Sequence, residues 1–142
     1  YFAAIAARYR ARAAHKPHSI LYASAAGRLS EKLLAAFLGE CSRRKFIIPV
    51  RVRMHPENSR SKFLRIIRRY RSGVHVELSH KKDIVDDLLR ACAVVGPETN
   101  ALVAAFLSGV RTIRIVPEGS RSYLPFKIVR VKSAKAAAKL IF

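Results

Sequence analysis

The chain alternates short apolar runs with longer stretches in which apolar residues recur at helical spacing. The apolar runs, rich in β-branched and small residues, predict strands at 19–24, 46–54, 74–78, 92–95 and 110–116, with a sixth at 126–131. The helical spacing predicts helices at 1–14, 28–44, from Ser59 or Ser61 to 73, 83–90, 99–107 and 133–140. Strands and helices that alternate with short connections are typical of α/β proteins. The pattern therefore predicts a Rossmann-like, three-layer α/β/α fold around a mostly parallel sheet of five to six strands.

This order of elements also predicts the domain organisation. Residues 18–142 form one Rossmann-like domain, and residues 1–17 hold an Ala- and Arg-rich helix that can link the domain to another part of a longer protein. In a doubly wound sheet, ligands bind at the carboxyl ends of the strands. The loops at those ends are therefore where candidate site residues are sought.

The junction at residues 91–107 is the most informative of these loops. Small and apolar residues lead to Gly96, a Pro-Glu-Thr-Asn turn follows, and a helix begins. A helix N-terminus presents unpaired N–H groups and a positive dipole end, which suit phosphate. Glu98 can accept from ribose hydroxyls, and Thr99 and Asn100 can reach phosphate oxygens. Ordinary capping by Thr99 and Glu98 is compatible with that role.

Two further loops follow predicted strands. The first contains Ser24 and Gly27, where backbone can approach a ligand closely, although an ordinary turn explains it equally well because no glycine-rich phosphate signature is present. The second contains His55, Pro56 and Glu57. Proline disfavours the helical conformation of the residue before it, so His55 is expected to be extended just beyond the strand. It can donate to a phosphate or assist a departing nucleotide; a surface histidine in a proline turn is the alternative.

The net charge is the unusual feature of the composition. The chain has 28 Lys and Arg against 9 Asp and Glu, a formal charge of +19, while 51% hydrophobic residues exclude a disordered tail. Such a surplus favours nucleic acid or an anionic membrane surface. The helix after residue 59 holds a basic run, for which a solvated face, lipid headgroups and RNA all remain open: Lys62, Arg65, Arg68, Arg69 and Arg71.

Other titratable residues predict no chemistry. Cys41 and Cys92 lie in apolar patterns and are expected to be reduced, buried thiols. The remaining histidines show no ligand spacing: His15, His18, His75 and His80. Three aspartates fall in the first turns of a predicted helix and complement its dipole better than they form a metal site: Asp83, Asp86 and Asp87. No metal or other cofactor is expected. No apolar stretch approaches the ~18–20 residues of a membrane span, so the expected location is the cytoplasm, at most peripheral to the inner membrane face.

Two of these segments resemble known enzymes. The stretch 94–113 resembles the nucleotide-binding segment of GT-B glycosyltransferases, whose C-terminal Rossmann-like domain binds the donor nucleotide. The His55-Pro56 pair resembles the His-Pro motif of bacterial sialyltransferases, polysialyltransferases and related capsule enzymes that use CMP-activated sugars. The resemblance covers about residues 18–140. It implies that His55 contacts the donor phosphate and that Thr99 and Asn100 contact the same nucleotide. The chain departs from the sialyltransferase pattern here, because that family often has two hydroxyl residues at these positions.

The resemblance also implies that part of the enzyme lies elsewhere. GT-B enzymes have two such domains, and the acceptor site with its acidic base belongs to the N-terminal one. No equivalent Asp- or Glu-rich motif is found in this chain. The sequence would then be the donor half of the enzyme, acting on a nucleotide sugar and a glycan acceptor.

Two functions of different classes follow from the sequence. The first is the nucleotide-sugar-binding half of an inverting glycosyltransferase in surface glycan synthesis, held at an anionic membrane by its basic face. The second is a non-catalytic, RNA-binding or ribosome-associated α/β module, supported by the charge alone. A related domain kept only as a scaffold is a third possibility.

Overall fold

A computed structural model describes residues 1–12, 17–122 and 127–141 of the chain. Within these residues, six strands form one sheet: β1 (Ser19–Ala23), β2 (Val50–Arg53), β3 (Val76–Leu78), β4 (Ala91–Pro97), β5 (Thr112–Ile115) and β6 (Val129–Val131). Their order is β3-β2-β1-β4-β5-β6, and every neighbouring pair is parallel. The predicted α/β sheet is confirmed. The chain adds β2 and β3 on one side of β1 and then β4, β5 and β6 on the other side. The strand order therefore reverses between β1 and β4.

Helices cover both faces of the sheet. They are α1 (Phe2–Ala11), α2 (Ser30–Arg43), α3 (Arg60–Tyr70), α4 (Ile84–Arg90), α5 (Asn100–Leu107) and α6 (Ala134–Ile141). One layer contains α2, α3 and α6, and the other contains α1, α4 and α5. Successive side chains of a strand point to opposite faces. Accordingly Ile20 and Tyr22 pack on the first layer, and Leu21 and Ala23 pack on the second.

Side-chain caps begin two of the helices where the sequence predicts them. The Ser59 hydroxyl accepts a hydrogen bond from the Lys62 N–H at 3.4 Å at the start of α3. The Asp83 carboxylate accepts from the Val85 N–H at 3.1 Å at the start of α4. That hydrogen bond, supported by the nearby Arg8 charge, lowers the pKa of Asp83 below its ordinary value.

The first helix belongs to the second layer. Ile5 and Ala6 are buried in α1, and the helix packs against α4 and α5. Two ion pairs join α1 and its C-cap to the start of α4: Arg8 to Asp83 at 2.6 Å and Arg12 to Asp86 at 3.0 Å. The N-terminal residues thus cover sheet surface in addition to any linking role.

The predicted strand at 46–54 is shorter than expected. The chain leaves α2 through Lys45, which adopts a left-handed conformation with φ 54°. The Lys45 N–H then bonds to the Ser42 carbonyl at 3.1 Å, and the Phe46 N–H bonds to the Cys41 carbonyl at 3.1 Å. These two bonds form a Schellman motif, which closes the C-terminus of α2. The strand therefore begins only at Val50. Phe46 is buried, whereas Ile47 is 91% exposed.

The prediction for the cysteines is half right. Both thiols are free, and Cys41 is buried, which raises its pKa to about 12. Cys92 is exposed, contrary to the prediction. The register of β1 on β4 shifts so that Ser19 pairs with Ala91 and Ile20 pairs with Ala93. Cys92 is the extra residue at this irregularity and therefore leaves the buried pattern of the strand.

Some predictions concern residues outside the described ranges. They are the helix at 13–14, His15 and Phe126 of the sixth strand. In the described residues, no helix is long and apolar enough to cross a membrane. Over the same ranges, no three His, Cys, Asp or Glu side chains are placed to hold a metal ion.

Candidate functional site

A cleft opens at the carboxyl edge of the sheet, where β1, β2 and β4 end side by side. Its volume is about 340 Å³. Five of the sequence-predicted site residues line it: Ser24, His55, Pro56, Thr99 and Asn100. They come from three loops that are distant in sequence and meet because β1 lies between β2 and β4. The edge on which the sequence placed them is therefore the edge they share.

Hydrogen bonds within its own loop hold the ring and the backbone of His55. The Glu57 backbone N–H donates to His55 Nδ1 at 3.1 Å, and the His55 N–H donates to Asn58 Oδ1 at 2.8 Å. A neutral ring that accepts at Nδ1 has its proton on Nε2. The described residues place no hydrogen-bond partner on Nε2, so its N–H is available to a ligand. Glu57 contributes its backbone here, since its side chain is exposed and does not line the cleft.

Asn58 joins two of the loops, a role that the sequence did not reveal. Its Nδ2 donates to the Ala25 carbonyl at 3.1 Å and to Ser30 Oγ at 3.3 Å. One amide side chain thus holds the loop after β1 against the loop after β2. Asparagine two residues after a proline is a common turn signal, but its partners depend on which strands are neighbours.

The N-terminus of α5 lines the same cleft as His55. Thr99 occupies the N-cap position with extended backbone, yet its side chain makes no capping hydrogen bond. The first N–H groups of a helix have no partner within the helix. Asn100 and Ala101, the first two residues of α5, line the cleft. Their N–H groups and the positive end of the helix dipole can receive an anion there.

A buried ion-pair network supports the floor of the cleft. Asp87 on α4 is 0% exposed and accepts from Arg53 at 2.8 Å, from Arg51 at 3.3 Å and from the Ser79 hydroxyl at 2.7 Å. Arg53 lines the cleft and also donates to two carbonyl groups of the loop before α4, those of residues 81 and 82. The sequence pattern predicts only a helix-dipole role for Asp87. The overlooked signal was a pair of arginines in a strand covered on both faces, because buried charges need partners.

The two predicted glycines shape the site without lining it. Gly27 has φ 112°, a left-handed conformation that glycine adopts freely, and its carbonyl accepts from Ser30 Oγ at 2.8 Å. Gly96 lies where β4 passes very close to β1: a Cβ atom there would overlap the Ala23 carbonyl oxygen. Both glycines fix the backbone from which the site loops leave the sheet.

A second cleft lies beside the first, on the α2 side of the loops after β1 and β4. Its volume is about 280 Å³, and its lining is largely apolar, including Ala26, Leu29 and Ile115. Glu98 lines this cleft, where its carboxylate accepts from Arg114 at 3.3 Å and from the Ser122 hydroxyl. The two clefts border the point at which the strand order reverses, the usual ligand position in such sheets.

The remaining candidates lie away from both clefts. The basic run of α3 is exposed, opposite the buried Phe63 and Ile67 of the same helix. Outside the clefts are the other described histidines, which are exposed: His18, His75 and His80.

The comparisons with known proteins agree with this architecture. No protein-family model and no curated protein sequence matches the chain. Among solved structures it is similar to the E. coli heptosyltransferase WaaC with ADP-2-deoxy-2-fluoro heptose, with a TM-score of 0.64 and 14% identity over 97% of this chain and 47% of that one. It is also similar to the wall teichoic acid polymerase TagF with CDPG, with a TM-score of 0.60 and 10% identity over 97% of this chain and 35% of that one.

These proteins are GT-B glycosyltransferases, and the likeness shows that the chain has a fold found in such enzymes. The chain spans about half the length of the heptosyltransferase and about a third of the polymerase. Identities of 10 to 14% establish the fold alone.

Proposed function

We propose that the chain is the nucleotide-sugar-binding half of a glycosyltransferase that acts in surface glycan synthesis. The observation that supports this most strongly is that His55, whose Nδ1 accepts from the Glu57 N–H, and the N-terminus of α5 line one cleft, at the reversal of strand order. Two donors of different kinds that line one cleft at this position suit a phosphate group. The similar structures bear ADP, an ADP-sugar analogue and CDPG, which fits the same class of ligand.

The two clefts suggest how the donor lies. In this proposal its phosphates occupy the cleft at His55, between the ring and the N–H groups of Asn100 and Ala101. The nucleoside extends into the apolar second cleft, past Gly96, with the Glu98 carboxylate as acceptor for its hydroxyl groups. Arg53 adds positive charge at the phosphate end, and no metal ion is required.

The chemistry is a displacement at the anomeric carbon of the sugar. The bond from that carbon to the phosphate oxygen breaks, and the electron pair goes to the oxygen. His55 and the α5 N-terminus stabilise the negative charge that develops there. The acceptor hydroxyl forms the new bond, and its proton goes to a base that this proposal places in a separate acceptor domain.

Finer features of the proposal concern the donor and the surroundings. A CMP-activated sugar is proposed as the donor because the His55-Pro56 pair resembles the motif of CMP-sugar enzymes. A glycan is the proposed acceptor. The surplus of 19 positive charges is proposed to face an anionic membrane surface, since acceptors of this kind are assembled at membranes.

Replacing His55 by alanine is expected to weaken nucleotide binding by about tenfold or more, because it removes a hydrogen bond to a charged phosphate. Isothermal titration with CMP, CDP, UDP, GDP and ADP measures the loss of affinity and identifies which nucleobase the cleft prefers. The matched control is His75→Ala, an exposed histidine just before β3, remote from the clefts.

Three results would count against the function. They are no binding of any nucleotide at millimolar concentration, equal effects of the two histidine variants, and salt-dependent RNA binding without a response to nucleotides. The last would favour the RNA-binding alternative.

A further inference from the structure

The loop between α2 and β2 displays one apolar side chain to solvent. Ile47 is 91% exposed, more than any other large apolar residue described in the structure. The residues around it are anchored, because Phe46 is buried and Ile48 packs against the core. The loop thus holds Ile47 outward in a defined position. Nothing in the packing of the domain requires an isoleucine there.

Lys45, two residues earlier, occupies a backbone position that favours glycine. Its φ is 54°, and it stands at the residue of the Schellman motif where glycine is usual. A left-handed conformation costs a non-glycine residue roughly 1–2 kcal/mol. The Schellman motif uses this backbone conformation but does not require a lysine, so the choice of lysine over glycine points to a use for the side chain itself.

Other positive charges surround this loop. Arg43 and Arg44 end α2, and Arg71 follows α3. The turn that contains Arg71 lies against the end of α2, since a Cβ on Gly73 would be 3.1 Å from Ser42 Cβ. We call this group of residues the basal tip: Arg43, Arg44, Lys45, Ile47 and Arg71.

Ion pairs within the domain balance only part of the positive charge of the basal tip. Arg43 and Arg44 both pair with Glu40, at 2.6 and 3.6 Å. Arg43, through its hydrogen bond and its charge, lowers the pKa of Glu40. One carboxylate thus faces two arginines, while no ion pair within the described residues involves Lys45 or Arg71. The basal tip therefore has a net positive charge around an exposed apolar side chain.

The basal tip lies at the amino edge of the sheet. Helices α2 and α3 run antiparallel to the strands, so both end at the edge opposite the clefts. A partner bound to the basal tip leaves the cleft at His55 open to solvent.

We propose that the basal tip docks the domain on an anionic lipid bilayer, with Ile47 inserted among the acyl chains near the headgroups and the basic side chains on the lipid phosphates. An apolar side chain ringed by lysine and arginine matches the boundary between headgroups and hydrocarbon. RNA fits the basal tip less well, because single-stranded bases bind by stacking on aromatic rings and the basal tip has none. The inference deepens the anionic-surface contact proposed above, and it is independent of the nucleotide clefts.

Tryptophan fluorescence tests the insertion directly, because the chain has no tryptophan. The variant Ile47→Trp provides a single probe at the basal tip. Its emission is expected to shift to the blue with vesicles of equal parts phosphatidylglycerol and phosphatidylcholine, and to stay unchanged with pure phosphatidylcholine. The control is Leu29→Trp, at another exposed apolar position but at the opposite edge of the sheet, where no shift is expected.

Two substitutions test the energetics by co-sedimentation with the same vesicles. Ile47→Ser is expected to lower the partition coefficient about tenfold, by removing buried apolar surface. Lys45→Gly is expected to lower it about fivefold, by removing one charge near the surface. Glycine adopts the left-handed backbone conformation without strain, so the melting temperature of Lys45→Gly should at the same time rise by about 3–5 °C. Opposite changes in stability and vesicle binding are not expected of a purely structural residue.

Several outcomes would overturn the proposal. They are an unshifted Ile47→Trp spectrum on anionic vesicles, unchanged vesicle binding by both substitutions, and binding of poly(U) RNA without binding of vesicles. Nucleotide titration of Ile47→Ser, which should match the unmodified chain, separates this inference from the proposed function. If the unmodified chain bound anionic vesicles but no nucleotide, the cleft proposal would be rejected and the docking proposal would be kept.

Discussion

Replacing Gly96 by alanine is expected to destabilise the domain by about 3 kcal/mol or more. The new Cβ would overlap the Ala23 carbonyl oxygen and lie 3.1 Å from the Ala23 carbonyl carbon. Those are backbone atoms of β1, which is paired with β2 on one side and β4 on the other. They cannot rotate away as a side chain would, so the two central strands must separate. Urea unfolding followed by circular dichroism measures the loss as a lower transition midpoint.

Gly39→Ala is the matched control, because it makes the same chemical change in the interior of α2. A Cβ there would lie 3.6 Å from the Tyr70 ring, an ordinary packing distance. Alanine is the better helix former, so this variant should be stabilised by about 0.5–1 kcal/mol. The expected effects have opposite signs. A Gly96→Ala midpoint equal to or above that of the unmodified chain would refute the close approach of β1 and β4.

Replacing Asp87 by asparagine is expected to cost about 3–5 kcal/mol. The carboxylate is 0% exposed and is the shared acceptor of Arg51 and Arg53. An amide of the same shape brings a donor toward two guanidinium groups, removes the charge that balances Arg53, and leaves Arg51 with only the half-exposed Glu77 at 3.1 Å. The same urea titration measures the loss, and the absence of any cooperative transition would be its extreme form.

Asp86→Asn is the control for this substitution, at the adjacent position of α4. The Asp86 side chain is 33% exposed and pairs with Arg12 at 3.0 Å on the surface. Exposed pairs contribute about 0–1 kcal/mol, so little change is expected. Equal shifts in the two variants would show that Asp87 is not the anchor of a buried network.

The fold could be predicted because its determinants are local in sequence. Four successive residues of β1, from Ile20 to Ala23, are apolar, which indicates a strand covered on both faces and hence a parallel sheet between helices. The position of His55 and Thr99 at one edge followed from the same reasoning, since parallel strands all end at the same edge. What each of them binds stays a prediction.

The parts that escaped prediction depend on which segments become neighbours. The sequence predicts only a helix-dipole role for Asp87, because its partners, Arg51 and Arg53, are more than thirty positions earlier in the chain. Ile47 fell inside an apolar run that was predicted to be a strand, and only the left-handed Lys45 shows why the run is split. Cys92 is exposed because of a register irregularity between two strands, which one strand's composition cannot show.

The central position of β1 also affects the order of events during synthesis. Its neighbour β2 follows after a single helix, but Ile20 pairs on its other side with Ala93, about seventy residues later. At roughly 5–20 residues per second, a ribosome needs about 4–14 s to make that stretch. Throughout that interval one edge of a strand with four successive apolar residues has no partner. The nascent chain is therefore most vulnerable to misassociation before β4 emerges, and a synonymous change that slows translation between β2 and β4 would lengthen that interval without altering the protein.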